Sequence, residues 1–216
     1  DLRTLLSIPS NYKVLFLQGG AIAENAIIPM NLLNGGEADY VVTGAWSKRS
    51  VDDADAYGKI NVVASSEADK FSHVPEFSSW KLNKHAAYLH ICTNETINGV
   101  EFDGIPDAGN VPIVADMSSH ILSRPIDVSK YGVIYAGAQK NIGPAGLCIV
   151  IVREDLLNRA SKLTPAVLNW IMQAANQSMI NTPPTYSIYI AGVEFAWSLA
   201  PGCVPAIEVP NIANAA

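Results

Sequence analysis

The most informative residues are an acidic and a basic side chain that each follow a short apolar segment. Asp116 ends the segment 111–116, and Lys140 follows the next segment, 132–137. If both segments are parallel strands, their carboxyl ends meet at one edge of a sheet and the two side chains lie near each other. A lysine amine can form a Schiff base with the aldehyde of pyridoxal 5′-phosphate, and an aspartate can pair with its ring nitrogen. The pair therefore indicates a pyridoxal phosphate site, although Asp116 alone would also suit a helix cap and Lys140 alone a surface charge.

A second feature is the glycine turn Gly19-Gly20-Ala21, which lies between an apolar segment and a helical one. Free backbone N–H groups and the helix dipole at such a position favour a bound phosphate. A Gly-Gly turn is by itself a weak signal, so this assignment depends on the other features of the chain.

The elements that would position these residues alternate between short apolar strands and helical stretches. This alternation predicts an α/β fold, a three-layer αβα sandwich with a mostly parallel seven-stranded sheet. Ligands in such sheets bind beyond the carboxyl ends of the strands. The predicted strands are 12–17, 38–44 with its closing turn, 59–64, 85–92, 111–116, 132–137 and 147–153, and the predicted helices are 22–33, with a kink at Pro29, and 51–57.

Composition excludes several other classes of protein. The 216 residues are 49% hydrophobic and 16% charged, which excludes an intrinsically disordered chain, and the net charge of −6 argues against nucleic acid as the main partner. No apolar run reaches the roughly 18 residues of a membrane span and the N-terminus does not resemble a signal peptide, so we expect a cytoplasmic location. The four histidines and three cysteines follow no metal-ligand spacing, so we expect no metal, and the odd number of cysteines indicates reduced thiols.

Four longer runs of sequence are similar to those of a known family. They are 94–100, 122–128, 131–146 and 181–185. On these runs the chain resembles the phosphoserine aminotransferases, which are fold-type I, class V transaminases dependent on pyridoxal 5′-phosphate. The resemblance implies transamination between 3-phosphohydroxypyruvate and glutamate, giving O-phosphoserine and 2-oxoglutarate, in serine biosynthesis and, for bacterial relatives, pyridoxine biosynthesis.

The resemblance also implies a role for each residue of the site. Lys140 would be the Schiff-base lysine and would carry the proton during catalysis, while Asp116 would bind the pyridine nitrogen. Trp46 corresponds to the aromatic residue that stacks on the cofactor ring, and Thr96 to the hydroxyl that bonds its phenolic oxygen. The phosphate would be bound within one subunit by Gly20, Ala21, Ile22 and Gln139, and across the interface of a homodimer by Asn181 and Thr182.

The chain also departs from the family pattern. Glu24-Asn25 stands where the family usually has Gln-Phe, and Ile22 stands where it often has Arg or Ser. Compared with family members, we expect a large domain over 1–200 and an irregular tail over 201–216, without the family's N-terminal segment and C-terminal small domain. None of the five arginines matches a substrate-binding position of the family: Arg3, Arg49, Arg124, Arg153 and Arg159.

Two alternatives stay open at this stage. The first is a truncated, inactive cofactor-binding core or an interaction fragment, because substrate-binding arginines are not matched and residues 163–216 contain no Lys or Arg. The second is another fold-type I enzyme, such as a cysteine desulfurase or an alanine–glyoxylate aminotransferase. A desulfurase needs a reactive cysteine on a mobile loop, whereas Cys92 and Cys148 lie in predicted strands and resemble buried apolar side chains.

Overall fold

Seven strands form one sheet in a computed structural model of the chain, which describes residues 1–200 and 204–215. Their order across the sheet is β1-β9-β8-β7-β4-β2-β3, and a separate two-stranded pair joins β5 to β6. Strand β9 runs antiparallel to both of its neighbours, β1 and β8, whereas the other neighbouring pairs are parallel. The mostly parallel seven-stranded sheet predicted from the sequence is therefore confirmed. The strands are β1 (Tyr12–Leu17), β2 (Glu37–Val42), β3 (Lys59–Ser65), β4 (Leu89–Cys92), β5 (Asn94–Glu95), β6 (Val100–Glu101), β7 (Ile113–Asp116), β8 (Val133–Gly137) and β9 (Cys148–Arg153).

Helices cover both faces of this sheet, which is why its central strands are mostly apolar and almost entirely buried. The helices are α1 (Leu2–Leu5), α2 (Gly20–Leu32), α3 (Ala45–Ala54), α4 (Ala138–Asn141), α5 (Trp170–Ala175), α6 (Thr185–Leu199) and α7 (Val204–Ala215). On one face, α2 and α5 pack through Ile27, Ile28 and Trp170 onto side chains such as Val133 and Val150. On the other face, α1 and α6 pack onto Ile134 and Ile149 through a second apolar cluster.

Two helices extend beyond the ranges predicted from the sequence. Helix α2 begins at Gly20 and continues through Pro29 to Leu32. Helix α3 begins at Ala45 rather than at residue 51, because its first turn is stabilised by polar side chains that are distant in sequence, as described below.

The prediction of an irregular tail over 201–216 is wrong for most of that range. Helix α7 occupies Val204–Ala215, while 201–203 and 216 lie outside the described residues. Pro205 lies in the first turn of α7, where a helix has no partner for the missing N–H. Tertiary contacts support the helix, because Val204 is buried in the core and Asn211 Nδ2 donates a hydrogen bond to the carbonyl of Ser123 at 2.8 Å.

Over residues 1–200 and 204–215, none of the helices combines the length and the apolar character needed to cross a membrane.

Candidate functional site

A cavity of about 180 Å³ lies at the carboxyl edge of the parallel strands, beside the first turn of α2. Several of its lining residues come directly after a strand, as the topology of such sheets requires. Most of the cofactor residues predicted from the sequence line this one cavity: Gly20, Ala21, Ile22, Trp46, Thr96, Asp116, Gln139 and Lys140. Asn181 and Thr182 do not line it.

Lys140 reaches the cavity from the short helix α4, which directly follows β8. Its Nζ donates a hydrogen bond to Thr96 Oγ1 at 3.2 Å and lies 5.4 Å from the centre of the Trp46 ring. Trp46 Nε1 also donates to Thr96 Oγ1, at 3.2 Å. Because both groups donate to the same oxygen, the hydroxyl hydrogen of Thr96 stays free for an acceptor in the cavity.

Asp116 is the last residue of β7 and presents a half-buried carboxylate to the cavity. One carboxylate oxygen accepts hydrogen bonds from Ser118 N at 2.9 Å and from Ser118 Oγ at 2.6 Å. Burial raises the pKa of Asp116, the Ser118 bonds lower it, and the nearby charge of Glu95 raises it. A carboxylate in these surroundings is stabilised by a cationic N–H donor in the cavity.

Trp46 is positioned by a buried carboxylate at the start of α3. Glu95 is fully buried and accepts hydrogen bonds from the backbone N–H groups of Trp46 at 2.9 Å and Ser47 at 2.8 Å. Asn98 Oδ1 accepts from the N–H of Ala45 at 3.0 Å. The 94–99 loop thereby accepts hydrogen bonds from three N–H groups in the first turn of α3. The N–H groups at the start of a helix have no partner within the helix itself.

Gly44 allows this close approach of the loop to the helix. A Cβ atom at Gly44 would lie 2.4 Å from the carboxyl carbon of Glu95, a distance that no side chain tolerates. The glycine therefore brings α3, and with it Trp46, against the loop that carries Thr96.

The first turn of α2 forms the polar end of the cavity. Gly19 adopts φ +99°, and a Cβ atom there would lie 2.5 Å from the Cβ of Ala23, so this tight turn requires glycine. The turn brings the first residues of a 13-residue helix, Gly20, Ala21 and Ile22, to the cavity wall. The N–H groups of a helix's first turn have no partner within the helix, so this wall is suited to an anion.

Several residues that shape the site were not identified from the sequence. Ser118 fixes the Asp116 carboxylate, and Glu95 fixes the start of α3. A serine two residues after an aspartate is a frequent local hydrogen-bond partner, so Ser118 could have been inferred from its spacing. The partnership of Glu95 with α3 spans about fifty residues of sequence and has no local signal.

Asn181 and Thr182 lie in a loop next to the end of β1. Gln18 Nε2 donates to the carbonyl of Thr182 at 3.0 Å, and Asn181 lies in a separate depression with Phe16 and Gln18. Neither side chain reaches the cavity of its own chain.

Glu24, one of the departures from the family pattern, is fully buried in α2 next to the site. Neither of its carboxyl oxygens has a hydrogen-bond partner among the described residues. Burial, with a smaller contribution from the charge of Asp116, raises the pKa of Glu24 to about 8. At neutral pH this side chain is therefore mainly a neutral acid.

The five arginines are engaged elsewhere and none lines the cavity. They bind acidic side chains or backbone carbonyls: Arg49 with Asp53, Arg124 with Glu101, Arg153 and Arg159 with Asp155, and Arg3 with the carbonyl of Tyr12. Across the part of the chain that the structure describes, His, Cys, Asp and Glu side chains form no group of three or more that could hold a metal ion.

Comparisons with known proteins identify the family of the chain. The model of the aminotransferase class-V family matches residues 1–205. The chain is 60% identical to the phosphoserine aminotransferase of Janthinobacterium sp. (strain Marseille), and the match covers 100% of this chain and 60% of that protein. It is 58% identical to the phosphoserine aminotransferase of Pseudomonas entomophila (strain L48), over 99% of this chain and 60% of that protein.

Solved structures show the same similarity. A structure described as "Radiation damage of the Schiff base in phosphoserine aminotransferase (structure A)" matches with a TM-score of 0.96 and 44% identity, covering 99% of this chain and 60% of that one. A pyridoxal phosphate-bound phosphoserine aminotransferase from Trichomonas vaginalis matches with a TM-score of 0.92 and 40% identity, covering 97% of this chain and 63% of that one. The chain spans about 60% of the length of the curated relatives it matches. On the family match and the similarity along the whole chain, this protein belongs to the class-V aminotransferase family.

Proposed function

We propose that this chain provides the cofactor site of a phosphoserine aminotransferase, which exchanges an amino group between glutamate and 3-phosphohydroxypyruvate to give 2-oxoglutarate and O-phosphoserine. The observation that carries the proposal is the meeting of Lys140, Asp116 and Trp46 around one cavity that ends at the first turn of α2. The relatives with 58–60% identity are named for this activity.

The donors and acceptors of the cavity fit pyridoxal 5′-phosphate. A primary amine suits its aldehyde, a buried carboxylate suits a protonated ring nitrogen, and a helix start suits its phosphate. The free hydroxyl hydrogen of Thr96 suits its phenolic oxygen. We therefore assign Lys140, Asp116, Trp46 and Thr96 to the ring, and assign to the phosphate the cavity-wall residues Gly20, Ala21, Ile22 and Gln139.

When bound, the cofactor makes the α-hydrogen of an amino acid acidic by withdrawing electrons into its ring. The amine of Lys140, once free, is the base in the cavity that can take this hydrogen and return it to the product. Asp116 keeps a proton on the ring nitrogen, and Ser118 keeps the Asp116 carboxylate in place. Trp46 supplies an apolar ring face whose centre lies 5.4 Å from the amine, next to the space assigned to the cofactor ring.

Substrate binding needs more cationic groups than this cavity supplies. Glutamate and O-phosphoserine carry several negative charges, for which arginine forks are the preferred partners. Lys140 is the one Lys or Arg among the cavity-lining residues of the described chain, and the five arginines are engaged elsewhere. We infer that the remaining cationic groups come from a second subunit or from the part of the relatives' length that this chain does not span.

We propose that the protein acts as a homodimer in which Asn181 and Thr182 of one copy reach the phosphate of the other. Two observations support this arrangement. The two residues lie outside the cavity of their own chain, so a phosphate role requires another copy. Large apolar side chains of α6 are also exposed in the single chain: Tyr186, Tyr189, Val193 and Trp197. Sedimentation velocity should give twice the mass of the chain, and a monomer that binds the cofactor with full affinity would contradict the proposal.

We also propose a cytoplasmic location, the usual setting of reduced cysteines. Cys92 and Cys148 are free and buried, which supports this proposal. Cell fractionation with an antibody to the chain tests it, and recovery of the chain in an exported fraction would contradict it.

Formation of O-phosphoserine tests the proposed reaction directly. The chain, loaded with pyridoxal 5′-phosphate, is incubated with glutamate and 3-phosphohydroxypyruvate, and the product is measured by mass spectrometry. We expect O-phosphoserine to form, and to be absent with the matched variant Lys140→Ala.

The absence of arginines from the cavity favours a second candidate function, a cofactor-binding core without turnover. The same assay separates the two functions. If the cofactor is fixed on Lys140 but no O-phosphoserine forms, the binding core is the correct description and transamination by this chain is refuted.

A further inference from the structure

A line of buried polar side chains continues from Asp116 into the core. Asp116 pairs in register with Tyr135 of the neighbouring strand β8, so both side chains lie on the same face of the sheet. The Tyr135 hydroxyl lies 2.9 Å from Nε2 of His90 on β4. Tyr135 is fully buried and His90 is 1% exposed, in the layer of the sheet covered by α2.

The chemistry of His90 fixes the direction of its hydrogen bond with Tyr135. Burial lowers the pKa of His90 to about 3, so the ring is neutral and carries one N–H. Its Nδ1 has no partner in the described part of the chain, and an unpaired N–H in the core costs more than an unpaired lone pair. The hydrogen therefore resides on Nε2, which donates to the Tyr135 oxygen. The Tyr135 hydroxyl hydrogen is then free for an acceptor, and the Asp116 carboxylate lies beside it on the same face of the sheet, close enough for its charge to raise the pKa of the Tyr135 hydroxyl.

The rest of the surroundings act against an ionised Asp116. Burial removes water from the carboxylate, and the charge of Glu95 in the 94–99 loop raises its pKa. Glu24 in α2 is also close, but its own pKa of about 8 leaves it mainly neutral at neutral pH. Only the Ser118 bonds and the Tyr135 hydroxyl act in the opposite direction. In the buried core, where the dielectric constant is low, the hydrogen bond from His90 to Tyr135 would strengthen a hydrogen bond that Tyr135 donates to Asp116.

We propose that the Tyr135 hydroxyl, oriented by His90, donates a hydrogen bond to the Asp116 carboxylate, so that both are positioning residues that hold Asp116 ionised and oriented toward the ring nitrogen of the bound cofactor. This inference rests on the proposed function, in which Asp116 pairs with that nitrogen. It adds that recognition of the nitrogen depends on two residues that do not line the cavity. A purely structural role for the same residues would stabilise the core without any preference for the nitrogen.

The test compares the affinity of the chain for pyridoxal 5′-phosphate with that for its 1-deaza analogue, in which C–H replaces the ring nitrogen. Both compounds carry the aldehyde and the phosphate, so their interactions with Lys140 and with α2 are the same. The ratio of the two dissociation constants therefore isolates the contribution of the nitrogen. Absorbance titration gives both constants without any turnover.

Four variants separate the positioning role from packing. Tyr135→Phe keeps the ring and removes the hydroxyl, and we expect the ratio to fall about tenfold, the loss for a hydrogen bond to a charged group. His90→Phe replaces the imidazole with a phenyl ring that can still stack on Tyr40, whose ring centre lies 4.7 Å from that of His90. This variant should lower the ratio by about threefold. His90→Gln keeps an N–H donor and should restore most of the ratio.

The control is Tyr88→Phe, which removes the 2.8 Å hydrogen bond between the hydroxyls of Tyr40 and Tyr88 in the same buried layer. Because this bond does not reach Asp116, the ratio should stay at the wild-type value. If His90→Phe does not fold, Tyr135→Phe and His90→Gln still carry the test, since each keeps most of the side-chain volume.

Two results would overturn the inference, and they can be told apart. If Tyr135→Phe and His90→Phe weaken both compounds equally, the ratio is unchanged and the two residues act through packing alone. If the wild-type chain itself binds the two compounds equally well, Asp116 does not recognise the nitrogen, and that part of the proposed function fails together with the inference.

Discussion

At the scale of single residues, the chemistry of the site depends on where charge is buried. Lys140 and Asp116 were identified from their types and their positions after adjacent apolar segments, and the structure places both at one cavity. Ser118 and Tyr135, which surround the Asp116 carboxylate, were not identified. The spacing of Ser118 after Asp116 gives a local signal, whereas only the register of β7 against β8 places Tyr135 beside Asp116.

Glu24 gives a prediction at this scale, because its pKa is about 8 in the folded chain against 4.5 for an ordinary glutamate. Between these two pH values the folded state binds more protons than the unfolded state. The stability that a protonated Glu24 gives the folded state is therefore fully present below pH 4.5 and is lost as the pH rises through about 8. Glu24→Gln removes this titration while keeping the shape. We expect the free energy of unfolding of the variant, relative to wild type, to increase from pH 5 to about pH 8 and to level off above it in urea denaturation.

The control is Glu76→Gln at an exposed position, which should leave the pH dependence of stability as in wild type. A constant difference between Glu24→Gln and wild type at every pH would mean that Glu24 does not titrate in this range in the folded protein.

At the scale of elements, the start of α3 links the stability of the fold to the geometry of the site. Glu95→Ala would leave the N–H groups of Trp46 and Ser47 without their acceptor in a buried position. We expect the variant to lose about 3 kcal/mol of unfolding free energy, the scale for bonds to a buried charged group. Glu95→Gln keeps one acceptor oxygen and should lose less. Thermal and urea unfolding measure both changes.

The exposed Glu76→Ala is the matched control for Glu95→Ala and should change stability by no more than about 0.5 kcal/mol. Equal stabilities of Glu95→Ala and wild type would mean that α3 does not need this cap.

The elements that could be predicted are those with a strong local pattern. Each of the seven strands of the main sheet contains a run of apolar residues, and the sequence predicts each one within a few residues of its observed bounds. The first turn of α3 could not be predicted, because its acceptors come from a loop about fifty residues away. Strands β5 and β6 have two residues each, which is too short for any periodic pattern.

At the scale of the whole molecule, the position of the cavity follows from the topology of the sheet. Parallel strands bring their carboxyl ends to one edge, so residues from Gly19 to Lys140 meet there despite their separation in sequence. This rule predicts the grouping from the sequence alone. The rule does not apply to Asn181 and Thr182, whose loop follows no strand of the parallel set, and both residues lie outside the cavity of their own chain.

The central claim is that Lys140 is the residue that binds the cofactor, and chemical trapping tests it most directly. The purified chain is titrated with pyridoxal 5′-phosphate, reduced with borohydride and digested for peptide mass mapping, with Lys140→Ala as the control. We predict a visible absorption band before reduction and the mass of the reduced cofactor on Lys140 alone. A chain that gives no band, or that carries the adduct on other lysines to the same extent in wild type and in Lys140→Ala, would contradict the account.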